Sequence, residues 1–253
     1  MSWPGRTTVG LASLAASLAL WEALCFIGQV APVLLPPPSQ IGPALWSLLS
    51  SGNFIAPLGQ TLKTLAIGYV IGSAAGVVAG LVLGCSRVAY GLLEPMIEVI
   101  RPLPKPALIP PMGLILGMGT QMGITMVGIT VFFPVLINTM QGARGVDPVL
   151  LGTARTLGCS RPTTIRKIIL PAALPLILTG MRMGLAMGLT LAVLSEMLIT
   201  GMGIGFVILD LQRSFQIRAM YAWIAILAVT GLLLNAAFEQ VEMRLVRWRA
   251  KEQ

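Results

Sequence analysis

Charge-free stretches of this chain include Thr64 to Ser86, Pro106 to Ala143 and Ala219 to Phe238. About 20 consecutive apolar residues let an α-helix cross a hydrocarbon core of roughly 30 Å. The first and third stretches are each long enough for one membrane span, and the second is long enough for two. Composition agrees: 56% of the 253 residues are hydrophobic and 10% charged, well outside the range of a globular domain in water. The length leaves no room for a large soluble domain beside the spans.

Residue types narrow the chemistry further. Histidine is absent, and with it the commonest acid/base group and metal ligand. Cys25, Cys85 and Cys159 are too scattered for a metal-spacing motif or a disulfide framework, and read as small apolar fillers. Neither a catalytic residue nor a metal or cofactor is expected. The net charge of +8 comes from basic residues set between apolar runs. That pattern orients membrane proteins, whereas a nucleic-acid surface would interleave the charges with aromatics. Membrane lipid is thus an expected partner and nucleic acid is not.

The spacing predicts an all-α integral membrane protein with six spans, near 9–30, 64–86, 103–118, 122–141, 175–199 and 219–238. They form a single domain over 1–253, with the first span within 1–33 and the core within 56–243. The first apolar run is longer than a signal-peptide core and lacks a small-x-small cleavage site, so it is expected to remain as a span. Pro36, Pro37 and Pro38 end it. On the second span, Gly72, Gly76, Gly80 and Gly84 share one face, where another helix can approach closely. Residues 41–60 read as a surface helix broken at Gly52 and Asn53, Arg87 to Lys105 as an interfacial or cytoplasmic helix, and 201–205 as a glycine-rich turn. Six spans place both termini on one side. With the termini inside, only Lys63, Arg213 and Arg218 lie outward, leaving 17 − 3 = 14 Lys/Arg at or near the inner face. The positive-inside rule then predicts a multi-pass membrane protein with both termini cytoplasmic.

The loop from Arg144 to Pro171 is the most informative segment. Asp147 is a good N-cap, Pro148 suits the first helical position, and Gly158 can take a left-handed conformation after Leu150, Leu151, Ala154 and Leu157. A second short helix, with Ile165, Ile168 and Ile169 on one side and Arg166 and Lys167 on the other, is expected to end at Pro171. Helices this short rarely hold in water without packing, so a partner surface is implied.

In its order of motifs the chain resembles the permease subunits of bacterial ATP-binding-cassette (ABC) importers, whose cytoplasmic signature is E-A-A, three residues, G, nine residues, I-x-L-P. Ala154, Gly158, Ile168, Leu170 and Pro171 match it, while Gly152 and Thr153 stand where glutamate and alanine are usual. Leu35-Pro36-Pro37-Pro38-Ser39, Arg101-Pro102-Leu103-Pro104, Ala107-Leu108-Ile109-Pro110, Phe133 to Thr139, Gly145-Val146-Asp147-Pro148 and Leu170 to Pro175 extend the resemblance to the nitrate/sulfonate/taurine branch. The resemblance implies a type I importer permease with a coupling helix, set in a bacterial cytoplasmic (inner) membrane. Two copies of it, or two related subunits, would form the path for a small organic or inorganic anion. Cytoplasmic ABC ATPase subunits and an extracytoplasmic solute-binding protein would be its partners. It implies ATPase contact through Leu151, Gly152, Thr153, Ala154, Arg155 and Gly158. No phosphate-binding G-x-x-x-x-G-K-[ST] loop is present, since none of Lys63, Lys105, Lys167 and Lys251 follows a glycine. ATP hydrolysis would therefore belong to another chain.

Glu196, Ser195 and Asn138 are the candidates for the path or its gate. Glu196 and Glu22 lie in apolar stretches, where an ionised carboxylate costs about 2.5–3.5 kcal/mol at a helix centre and needs a partner or water. Arg182 is close enough to the inner face to reach the headgroups. Met112, Met118, Met122 and Met126 read as packing residues. An ion-coupled secondary transporter or channel, acting without an ATPase, is the alternative; a membrane enzyme would need an acid/base cluster that the scattered carboxylates do not supply.

Overall fold

The computed structural model describes residues 3–27, 34–198, 201 and 203–246, and every regular element among them is helical. In chain order these are α1 (Trp3–Phe26), α2 (Pro38–Ser51), α3 (Ile55–Cys85), α4 (Arg87–Ile100), a 3-10 turn (Lys105–Leu108) leading into α5 (Ile109–Leu116), α6 (Thr120–Arg144), α7 (Pro148–Thr156), α8 (Arg161–Thr164), a π turn (Ile165–Ile169) leading into α9 (Leu170–Leu198), α10 (Gly203–Arg213) and α11 (Ile217–Leu245). Five stretches are long and apolar enough to cross a membrane, in α1, α3, α6, the continuous run Arg161–Leu198, and α11. The expected span at 103–118 is shorter than predicted. Four prolines, Pro104, Pro106, Pro110 and Pro111, crowd its start and Gly117, at φ +77°, ends it; its helical part rises only about 20 Å. Residues 28–30 and Ile199, at the ends of two predicted spans, lie outside the described residues, as does the tail beyond Val246.

Small residues decide which helices pair. The predicted glycine face of α3 lies directly on α6. A Cβ added at Gly72 would stand 2.4 Å from the Gly128 carbonyl oxygen, and one at Gly84 2.5 Å from the Ala143 Cβ. Helices at this distance gain dispersion contacts along the whole backbone, which in lipid replaces the hydrophobic drive between them. The other side of α6 takes α9 in the same way, with Gly180 against the Pro134 carbonyl oxygen and Gly188 against Val131. Leu65, Val127, Val131, Val135 and Ala192 fill the centre of this three-helix core. α10 closes one end over Ile204, Ile208 and Trp223, with Leu48 of α2 and Leu58 of α3 packed against them. α7 lies at the opposite end.

α1 is fastened by its acid. Glu22 accepts hydrogen bonds from the Ser39 backbone N–H (3.1 Å) and hydroxyl (2.6 Å) in the first turn of α2, where the helix dipole favours a carboxylate. Arg182 has a partner too: its Nη2 lies 3.1 Å from Glu242 Oε2, tying α9 to α11. One boundary departs from expectation, because Pro171 does not end the helix before it. The chain passes from α8 through the π turn into α9, and the Leu170 N–H donates to the Ile165 carbonyl five residues back. The wider turn accommodates a proline that supplies no N–H and would crowd the carbonyl four residues earlier in a regular α-helix.

Candidate functional site

At the α7 end, both helix termini form as their local chemistry dictates. Asp147 Oδ1 accepts from the Val149 N–H at 2.8 Å, and Pro148 occupies the first helical position. Gly158 takes φ +70°, and the Gly158 and Cys159 N–H groups donate to the carbonyls of Arg155 and Ala154, both at 3.0 Å. This paired closure satisfies carbonyls that a helix end otherwise leaves open.

α7 divides its apolar residues between two faces. Ala154 is 2% exposed, and Leu151 packs beside Ala143, Val146 and Ile169, so these two members of the predicted contact set hold the helix against its own chain. Gly152, Thr153, Arg155 and Gly158 face outward. Beside them, Val149 (71%), Leu150 (50%) and Leu157 (74%) are exposed. Leu150, Leu151, Ala154 and Leu157 are thus divided between two sides of the helix.

At the other end, Glu196 is 2% exposed. Its Oε2 accepts from the Thr61 hydroxyl at 2.8 Å and the Gly205 N–H at 3.1 Å, while Thr61 Oγ1 accepts from the Ile204 N–H at 3.0 Å. The glycine patch thus opens a helix whose first N–H groups meet a carboxylate of the same chain, a role beyond the turn expected of it. Gly203, at φ +84°, leaves room for the carboxyl group, since a Cβ there would lie 2.1 Å from the Glu196 Cδ. Ser195 is fully buried and donates to the Ala192 carbonyl at 2.8 Å.

Asn138 lies elsewhere. It lines a cleft of about 430 Å³ between α6 and α9, together with Phe133, Met187, Thr190, Arg101 and Lys105. The two cations were not among the predicted path residues. Their signal lies at the end of the charged stretch Arg87 to Lys105, where two cations stand among prolines.

Among known proteins, the model of a family described as "Binding-protein-dependent transport system inner membrane component" matches residues 72–247. The chain belongs to that family. It is the permease of an ABC importer, an inner-membrane component built of apolar helices. This permease is 33% identical to the Bacillus subtilis (strain 168) protein SsuC, named for aliphatic sulfonates transport, over 97% of the chain and 91% of the relative. It is 29% identical to the taurine transport system permease protein TauC of Escherichia coli (strain K12), over 99% and 94%. Its fold is shared with a chain of the inward-facing MetNI methionine ABC transporter, at TM-score 0.66 and 18% identity, covering 81% of this permease and 98% of that chain.

Proposed function

We propose that this permease forms the path for a small anion and is driven by a separate ABC ATPase that docks on the outer face of α7. The observation that carries this reading is the exposed set Val149, Leu150 and Leu157 on a helix fixed at both ends. A surface of this kind, beside Arg155, suits a partner groove that takes helix side chains. Gly152, where the family signature has glutamate, adds no side chain to the contact. The names of the sulfonate and taurine relatives support an anionic solute. A second copy of the permease completes the path against the exposed Met183, Met187 and Thr190 of α9, and a solute-binding protein delivers from the side carrying α10. Both termini face the cytoplasm in this arrangement.

The test is copurification of the ATPase, normalised to permease abundance in the membrane. Gly158→Val places a β-branched residue in a left-handed conformation and reshapes the end of α7; Leu157→Glu puts a charge on its apolar outer face. Both variants should insert normally and lose at least tenfold in ATPase association and solute uptake. Undiminished association in both, or uptake by the permease alone without ATP, would overturn the reading in favour of an ion-coupled transporter.

A further inference from the structure

The Lys105 ammonium lies 4.9 Å from the centroid of the Phe133 ring. Phe133 is near the middle of α6, eleven residues and about 16 Å from Arg144 at helical rise. Lys105 therefore carries its charge to the mid-length of this membrane-spanning helix. Its Nζ donates to the Arg101 and Leu103 carbonyls, at 2.6 and 3.0 Å. These neutral acceptors orient the ammonium and leave its charge uncompensated, and among the described residues it forms no salt bridge. An ammonium has three N–H groups, so one remains. A cation at such depth needs an anion or water.

The surrounding cleft specifies which kind of anion. Arg101 lines the same cleft, and its own pairing with Glu98 is long, at 3.7 Å, and exposed. Asn138 donates one Nδ2 hydrogen to the Pro134 carbonyl at 2.8 Å and keeps a second. The Thr130 and Thr190 hydroxyls donate to the carbonyls of Met126 and Ala186. The donors left for a ligand in this cleft are thus those of Lys105, Arg101 and Asn138, while Phe133, Ile137, Met183, Met187 and Leu191 give it an otherwise apolar lining.

We propose that Lys105, Arg101 and Asn138 form an anion-binding site within the permease, taking a small monoanion with an oxyanion head and a short aliphatic body. The site rests on the importer reading and deepens it. Solute choice is then made a second time inside the membrane, after delivery, by charge at one end of the cleft and by apolar contact along the other.

The permease–ATPase complex in nanodiscs, without a binding protein, is assayed for binding of radiolabelled ethanesulfonate, with nitrate and the uncharged dimethyl sulfone as competitors. Saturable binding displaced by nitrate and not by the sulfone is expected. Lys105→Met should weaken it at least tenfold, while Lys105→Arg stays within about threefold. Asn138→Asp, which brings a negative charge to the cleft without touching Lys105, should abolish it. Absence of saturable binding to the wild type, equal displacement by the sulfone, or wild-type binding by both Lys105→Met and Asn138→Asp would overturn the site. ATPase copurification is scored on the same samples: its loss in the wild type would count against the importer reading, whereas its retention with unselective binding would count against the site alone.

Discussion

Three ionisable residues of the apolar bundle are each answered by a group well separated in the chain. Glu196 meets Thr61, Glu22 meets Ser39, and Arg182 meets Glu242. That each acid needed a partner followed from the cost of a bare charge, but the identity of the partner did not, because residues 135 positions apart meet only when α3 and α9 pack. Glu196 gives the sharpest test. Glu196→Leu removes the acceptor of two donors in a buried site, leaving groups whose desolvation costs about 1–3 kcal/mol each. Glu196→Gln keeps an acceptor oxygen and should lose less. Gly203→Ala should resemble the leucine variant, because its methyl would displace the carboxyl group and its backbone disfavours any side chain. Melting temperature in detergent and membrane abundance should rank wild type above Gln, and Gln above both Leu and Ala; equal values for all four would remove the structural role assigned to this acid.

Elements were legible in proportion to how local their causes are. The caps of α7 depend on Asp147, Pro148 and Gly158 within one short segment, and formed as read. The glycine face of α3 also followed from spacing, since every fourth residue of a helix returns to nearly one side. Pro171 misled because a proline ends a helix only where the backbone has no other way to seat it, and the π turn supplied one. The predicted span at 103–118 misled because absence of charge says nothing of how much of a segment is helical. The α3–α6 seam makes its own prediction. At Gly72 the nearest atoms are backbone of Gly128, which cannot swing aside. Gly72→Val should therefore cost more than the about 1–3 kcal/mol typical of overpacking against side chains. Gly59→Val, at a position with open space, should cost far less. Thermal unfolding of the two purified variants measures the difference, and comparable losses would show that the seam tolerates separation.

For the whole molecule, orientation rests on the distribution of Lys and Arg, and accessibility tests it. In a background with the three native cysteines replaced by serine, a cysteine at Ser214 should react with an impermeant thiol reagent in intact cells, and one at Thr153 should react only after the membrane is opened. Labelling of both in intact cells would require a different topology. The uninterrupted run from Arg161 to Leu198 has a mechanical consequence. Its 38 residues amount to about 57 Å of rod, nearly twice the thickness of the hydrocarbon layer. Such a rod is a lever. Swung by about 5° about its α10 end, it carries the opposite end sideways by about 5 Å, so a modest push there would be felt along the full depth of the bilayer.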